Sequence, residues 1–397
     1  MKAVEYLRHK DFKNALPLLL DASQDPVIAE DPQSKHTVEF YIKSAYIGNS
    51  DFVKLGELLE DDLVGTVESK SDEVSMMKAL TNLFRCYIHQ NEYEKALFLT
   101  ERYDSVLKRK NFSTIFKNQV AIMRMTAQIL LNETDEDTLK EVEKIKDSIT
   151  DEYTSAVLLN NLAVGKLLVD DDSTQSAIHD FCQAIYTLES LQDNDFGFNP
   201  VKSKDDNDNE NSFEAEGQKI AIQEREAHQL SLKSFLEKPT KKSNLFLKNP
   251  VSCVPLANLI DTYMKAKKTK EFSVLTLFGV DRNAPIKSSP AHHRLLFYAY
   301  KLGASTTTPD VQENYIVQAL KASDMNNSGF RELLLTEYQI FLANERRHYE
   351  SFQVNQMIFD NIRNGNIHCI EKEFIHPGQL VKDYLIYPEF QLFSPLN

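Results

Sequence analysis

Three observations predict an all-α chain, an α-solenoid of antiparallel helix pairs interrupted by an acidic disordered linker. Only 11 glycines and no tryptophan occur in 397 residues, and long glycine-free stretches of Leu, Lys, Glu and Ala suit helices rather than tightly turning β-structure. Apolar residues recur at helical offsets of three, four and seven. These stripes return about every 40 residues, as expected of helix pairs that bury their apolar faces only by stacking on a neighbour.

Taken in order, Asp11-Phe12 precedes Ala15, with Leu19 and Ala22 at offsets of four and seven. Tyr46 and Phe52 lead to Leu55 and Leu59. The clearest unit follows. Leu83-Phe84-Arg85-Cys86-Tyr87 reads as a first helix, Asn91-Glu92-Tyr93 as a turn, and Ala96 as a small contact residue on the second helix. Asn91 is able to take the left-handed backbone that glycine usually supplies in such a turn. Further on, Ile129 precedes an Asn-Glu-Thr-Asp-Glu-Asp loop, and Thr138, Val142, Ile145 and Ile149 predict one apolar stripe. Ala177, Phe181 and Ala184 repeat a small, aromatic, small pattern after the apolar run of residues 158–164.

The unit at 83–97 resembles the tetratricopeptide repeat, in which a leucine and an aromatic four residues on face inward, a short turn follows, and an alanine on the second helix permits close packing. Leu83, Tyr87 and Ala96 occupy those places. The resemblance implies a right-handed superhelix whose concave face receives a peptide or helix of a partner, with Arg85, His89 and Lys166 facing the groove. The period of about 40 exceeds the roughly 34 residues of that family, so longer helices or loops are expected. The chaperone-binding branch grips a C-terminal carboxylate with a lysine and an asparagine four residues apart. The matching places here hold Thr81 and Arg85, and Phe40 and Ser44. Lys78 and Asn82 have the spacing but fall three residues out of phase, which disfavours a co-chaperone.

The predicted organisation is helical repeats over 1–190, an acidic flexible linker over 191–219, and a helical-repeat region over 220–397 with an extended tail. The linker rests on Gln192-Asp193-Asn194-Asp195 and on the acidic run 205–210, where low apolar content cannot offset the entropy of ordering. Beyond it, Leu256, Leu259, Ile260 and Tyr263 form one inner stripe, and Leu295, Leu296, Ala299 and Tyr300 another, closed by Leu302-Gly303. Pro309 or Asp310 starts a helix with Tyr315, Ile316, Ala319 and Leu320 inward. Leu334, Leu335, Tyr338, Phe341 and Leu342, then Phe352, Met357 and Ile358, make a last pair. The proline-bearing, aromatic tail from Pro377 reads as an extended strap or a segment awaiting a partner.

With 45 Lys+Arg against 59 Asp+Glu, the formal charge of -14 repels phosphate backbones and anionic lipid, so nucleic acid is disfavoured as a partner. No run of about eighteen apolar residues predicts a membrane span. MKAVEYLRHKDF lacks the apolar region of a secretory signal, which points to the cytosol or nucleus. Cys86, Cys182, Cys253 and Cys369 lie far apart and read as buried thiols.

Nucleophile elbows, Walker loops, HExxH helices and dinucleotide fingerprints are lacking, so no catalytic residue, cofactor, metal or small-molecule substrate is predicted. His292 and His293 point to different sides of a helix. The group of His368, Cys369 and His376 lacks a fourth ligand, and the run 205–210 lacks the glycine and terminal glutamate of a calcium loop. Lys265, Lys267, Lys268 and Lys270 form a basic cluster that reads as a solvated helix end and loop, or as a contact for an acidic partner, a nucleic-acid backbone or a membrane surface. The expected role is a non-catalytic interaction scaffold, a subunit or adaptor of a multiprotein complex. A co-chaperone and an enzyme with an unrecognised site are the alternatives.

Overall fold

A computed structural model describes residues 2–68, 73–109, 112–191, 211–240, 245–281, 289–303, 307–325, 330–363 and 381–389. Among these residues the chain is all-helical, without strands, and successive helices pack on their sequence neighbours as in an α-solenoid. The first eight are α1 (Lys2–Arg8), α2 (Phe12–Ser23), α3 (Pro26–Glu30), α4 (Pro32–Gly48), α5 (Phe52–Glu68), α6 (Glu73–His89), α7 (Tyr93–Arg109) and α8 (Thr114–Leu131). The next five are α9 (Glu136–Lys144), α10 (Glu152–Val169), α11 (Thr174–Ser190), α12 (Asn211–Glu237) and α13 (Cys253–Lys265). The last five are α14 (Thr269–Asp281), α15 (His292–Gly303), α16 (Pro309–Met325), α17 (Arg331–Asn344) and α18 (His348–Arg363). Contacts divide the chain into two units, Met1–Ala127 with Tyr387–Asn397, and Gln128–Ile386.

One turn design recurs. Lys10, Ser50, Asn91, Asn132, Lys267 and Arg346 all have left-handed backbones, with φ between 56° and 59°. After each, the next N–H reaches back over the helix end: Asp11 to the Tyr6 carbonyl (2.9 Å), Asp51 to Tyr46 (3.0 Å), Glu92 to Tyr87 (2.9 Å), Glu133 to Gln128 (2.9 Å), Lys268 to Tyr263 (3.0 Å) and Arg347 to Leu342 (2.9 Å). Each closes a Schellman-type cap that satisfies a carbonyl left over by the ending helix. The first four turns lie about 40 residues apart, the period expected from the sequence. Asn91 adopts the conformation anticipated for it.

The predicted contact residues Ala15, Leu55, Ala96, Ala177, Phe181 and Ala184 are all fully buried. Aspartates cap many of the helices; Asp11, Asp31, Asp135 and Asp151 each accept the backbone N–H three residues on. Cys86, Cys182 and Cys253 are buried free thiols, while Cys369 lies outside the described residues.

Several expectations need correction. α9 stops at Lys144, and its core residues are Leu139 and Val142 rather than a stripe from Thr138 to Ile149. The reason is local: Leu139 packs over Gly165 of α10, where an added Cβ would come 2.7 Å from the leucine side chain, so the leucine, one place on, faces the neighbour. α18 buries Ser351, Val354 and Ile358, leaving Phe352 and Met357 exposed. α12 begins at Asn211, inside the expected linker, where Asn211 followed by Glu214 is a helix-start pattern. Residues 192–210 of that linker lie outside the described residues. α12 packs on α11, and both belong to the unit Gln128–Ile386.

Candidate functional site

The second unit gathers an unusual set of polar side chains on helices whose other residues are apolar. In α10, residues 156–166 are all buried, and in their midst stand Asn160 and Asn161, each 0% exposed. Asn258 lies among the buried residues of α13, and Arg294, also 0% exposed, in α15. Asparagine in a helix interior competes with the backbone for hydrogen bonds and is disfavoured there. Buried as these are, each must find partners.

They find them in one another and in a strap of chain. Arg294 Nη1 donates to Asn258 Oδ1 (2.8 Å), Asn258 Nδ2 to Asn160 Oδ1 (2.9 Å), and Asn160 Nδ2 to Asn161 Oδ1 (3.0 Å). Along this chain lies the segment from Lys382, a 3₁₀ turn over Lys382–Tyr384 that opens into extended backbone at Leu385. Its main chain is held at residues 383, 384 and 386. Arg294 Nη1 donates to the Asp383 carbonyl (3.0 Å), Asn258 and Asn160 both donate to the Tyr384 carbonyl (2.8 and 2.9 Å), and Asn161 Nδ2 donates to the Ile386 carbonyl (2.8 Å). Asn161 Oδ1 also accepts the Ile386 N–H at 2.9 Å, so one amide side chain reads both polar groups of one residue.

Side chains add to this grip. The Tyr384 ring lies against the Arg294 guanidinium, 3.6 Å from centroid to Cζ, and its hydroxyl is 3.5 Å from Asp261 Oδ2. Burial, then the Asp261 carboxylate, push the Tyr384 phenol above its ordinary value, so it stays protonated. Asp383 Oδ2 accepts the Phe330 N–H at 3.1 Å and lies 3.7 Å from His293 Nε2. Leu385 and Ile386 are buried. Arg294 Nη2 donates to the Tyr298 hydroxyl (3.2 Å). Among the described residues, no carboxylate lies within ion-pair distance of Arg294; its charge is met by neutral oxygens and aromatic faces, with the Asp261 carboxylate acting on it from farther off. The groove therefore holds polypeptide, chiefly through its backbone.

Of the residues proposed from sequence, Arg85 and His89 come together in the first unit: Arg85 Nη2 is 3.2 Å from His89 Nε2, His89 stacks on Phe52 at 4.0 Å, and the Arg85 guanidinium lies 5.2 Å from the Tyr387 ring. Lys166 is not presented to a groove. It is buried and pairs with Asp180 (2.9 Å) and Glu143 (2.8 Å), because an unpaired ammonium at that depth would be costly.

The lysine cluster separates by role. Lys265 pairs with Asp261 at 2.9 Å beside the strap, and Lys267 forms the left-handed turn. Lys268 and Lys270 line a cavity of about 500 Å³ with Lys233, Lys238 and His179. Sequence proximity predicted one patch, but the turn at Lys267 sends its members to different places. Asn160, Asn161, Asn258 and Arg294 were missed; the available signal was an asparagine or arginine inside an otherwise apolar helical run.

No family model matches the chain, and no curated protein matches its sequence.

Proposed function

We propose that this chain is a non-catalytic interaction scaffold, a subunit or adaptor of a multiprotein complex working in the cytosol or nucleus, with tetratricopeptide-like helix pairs as its binding surfaces. One observation carries the reading: α10, α13 and α15 grip residues 383–386 through side chains that read backbone amides and place no reactive group on them. A surface that holds polypeptide through its main chain suits partner recognition. In α-solenoids generally, side chains on an exposed face vary without disturbing the packing between helices.

Co-purification of the tagged full chain from its native cells at low and high salt tests this. A stoichiometric complex that survives high salt is expected, because amide hydrogen bonds and apolar burial are weakly screened. A chain that purifies alone under both conditions contradicts the reading.

A further inference from the structure

We propose that the groove of α10, α13 and α15 is a binding site for a segment of a partner protein that opens from a single turn into extended backbone, of the pattern acidic, aromatic, aliphatic, aliphatic, and that residues 383–386 are the ligand it holds in cis. The inference rests on the scaffold reading and names the chemistry of its partner.

Recognition here has two layers. Five hydrogen bonds, four donated by Arg294, Asn258, Asn160 and Asn161 and one accepted by Asn161, meet the main chain of residues 383, 384 and 386, and any segment with the same turn and extended end offers the same carbonyls and N–H. Selectivity comes from the side-chain places. The Phe330 N–H and nearby His293 favour a carboxylate at the first, and the Arg294 guanidinium with Asp261 favours a ring bearing a hydroxyl at the second. The third and fourth are closed to water and favour aliphatic groups.

The composition of the floor argues for exchange. A face covered permanently gains most from apolar residues, since buried polar and charged groups add little net stability even when paired. This floor instead holds three asparagines and a fully buried arginine without a carboxylate partner among the described residues. Water can satisfy all of those groups when the strap leaves, so vacating the groove costs far less than exposing an apolar face of the same size. Eighteen residues lie between Arg363, the end of α18, and Lys382, the start of the strap. The strap is thus covalently joined to the groove it occupies, and a free ligand must compete with an intramolecular one, so weak ligands are suppressed and strong ones displace it.

The test uses the full chain and a labelled peptide, LVKDYLIYPE, copied from residues 380–389. The double variant Tyr384→Ser, Ile386→Ser weakens the strap and leaves the floor intact. The peptide is expected to bind this variant at least about tenfold more tightly than it binds the natural chain. Adding Asn161→Asp to the variant, or replacing the peptide tyrosine by serine, should reverse the gain. Equal affinity for both chains, or binding to neither, overturns the proposal. Loss of cooperative helical melting in the double variant also overturns it, because the strap is then a fixed part of the core. Failure here with native complexes intact in the salt experiment sinks the peptide site alone; loss of those complexes sinks the scaffold reading.

Discussion

Asn161 meets both polar groups of Ile386, donating at 2.8 Å and accepting at 2.9 Å, within a buried stretch of α10. Asn161→Asp keeps the shape but sets a carboxylate oxygen against the Ile386 carbonyl. The expected loss is about 2–3 kcal/mol, the range for stranding a buried partner beside a charge, read as a lower denaturation midpoint at unchanged m-value. An unchanged midpoint would show that the amide pairing contributes nothing. The buried thiols give a second residue-scale prediction. Burial pushes Cys86, Cys182 and Cys253 up to about 12 from an ordinary value near 9. A folded-state value raised in this way contributes stability that is present below about pH 9 and lost as the pH climbs towards 12, since the unfolded chain ionises first. Iodoacetamide at pH 8 should therefore label these three cysteines only after denaturation. Labelling at the rate of an exposed thiol in the folded protein would contradict their burial. The thiols were legible in the sequence as cysteines lying far apart, with no pair or cluster among them. For Asn160, Asn161 and Asn258 the sequence marked only a polar residue inside an apolar run; their partners lie in residues 384 and 386, and no local pattern announces so distant a contact.

At the scale of elements, the repeating unit is a turn as much as a helix pair. A left-handed residue, a bond back to the carbonyl five residues before the bonding N–H, and a new helix recur at Lys10, Ser50, Asn91 and Asn132, and again at Lys267 and Arg346. Asn91→Val should cost about 1–2 kcal/mol, because a β-branched residue is strained in that conformation, whereas Asn91→Gly should leave stability nearly unchanged. Thermal unfolding of the two variants decides this; equal melting temperatures would show that the turn bears no strain. Asn91 was readable from sequence because asparagine tolerates the left-handed region. Lys10, Lys267 and Arg346 carry no such signature, and their turns are imposed by the helices they join. The same limit explains α9, where the stripe from Thr138 was displaced to Leu139 by the close approach at Gly165, a fact of packing rather than of periodicity.

For the molecule as a whole, helical class and period followed from the sparse glycine, the spaced stripes and the need of each pair to stack on another. The grouping into units did not follow, since composition marks the acidic stretch while contacts across it, such as Glu189 accepting the N–H of Lys248 at 2.7 Å, are invisible in order of sequence. The chain carries a net charge of -14, yet the groove works with neutral amides, one buried arginine and apolar side chains. Its hold on the strap should accordingly change little with salt. Hydrogen exchange at the amide of Ile386 tests the central claim most directly. The account predicts clear protection, at low and high salt alike, but less than in the core of α10 because the strap leaves the groove without unfolding it, and its collapse in Asn161→Asp; exchange of that amide at the rate of an unstructured chain would contradict it.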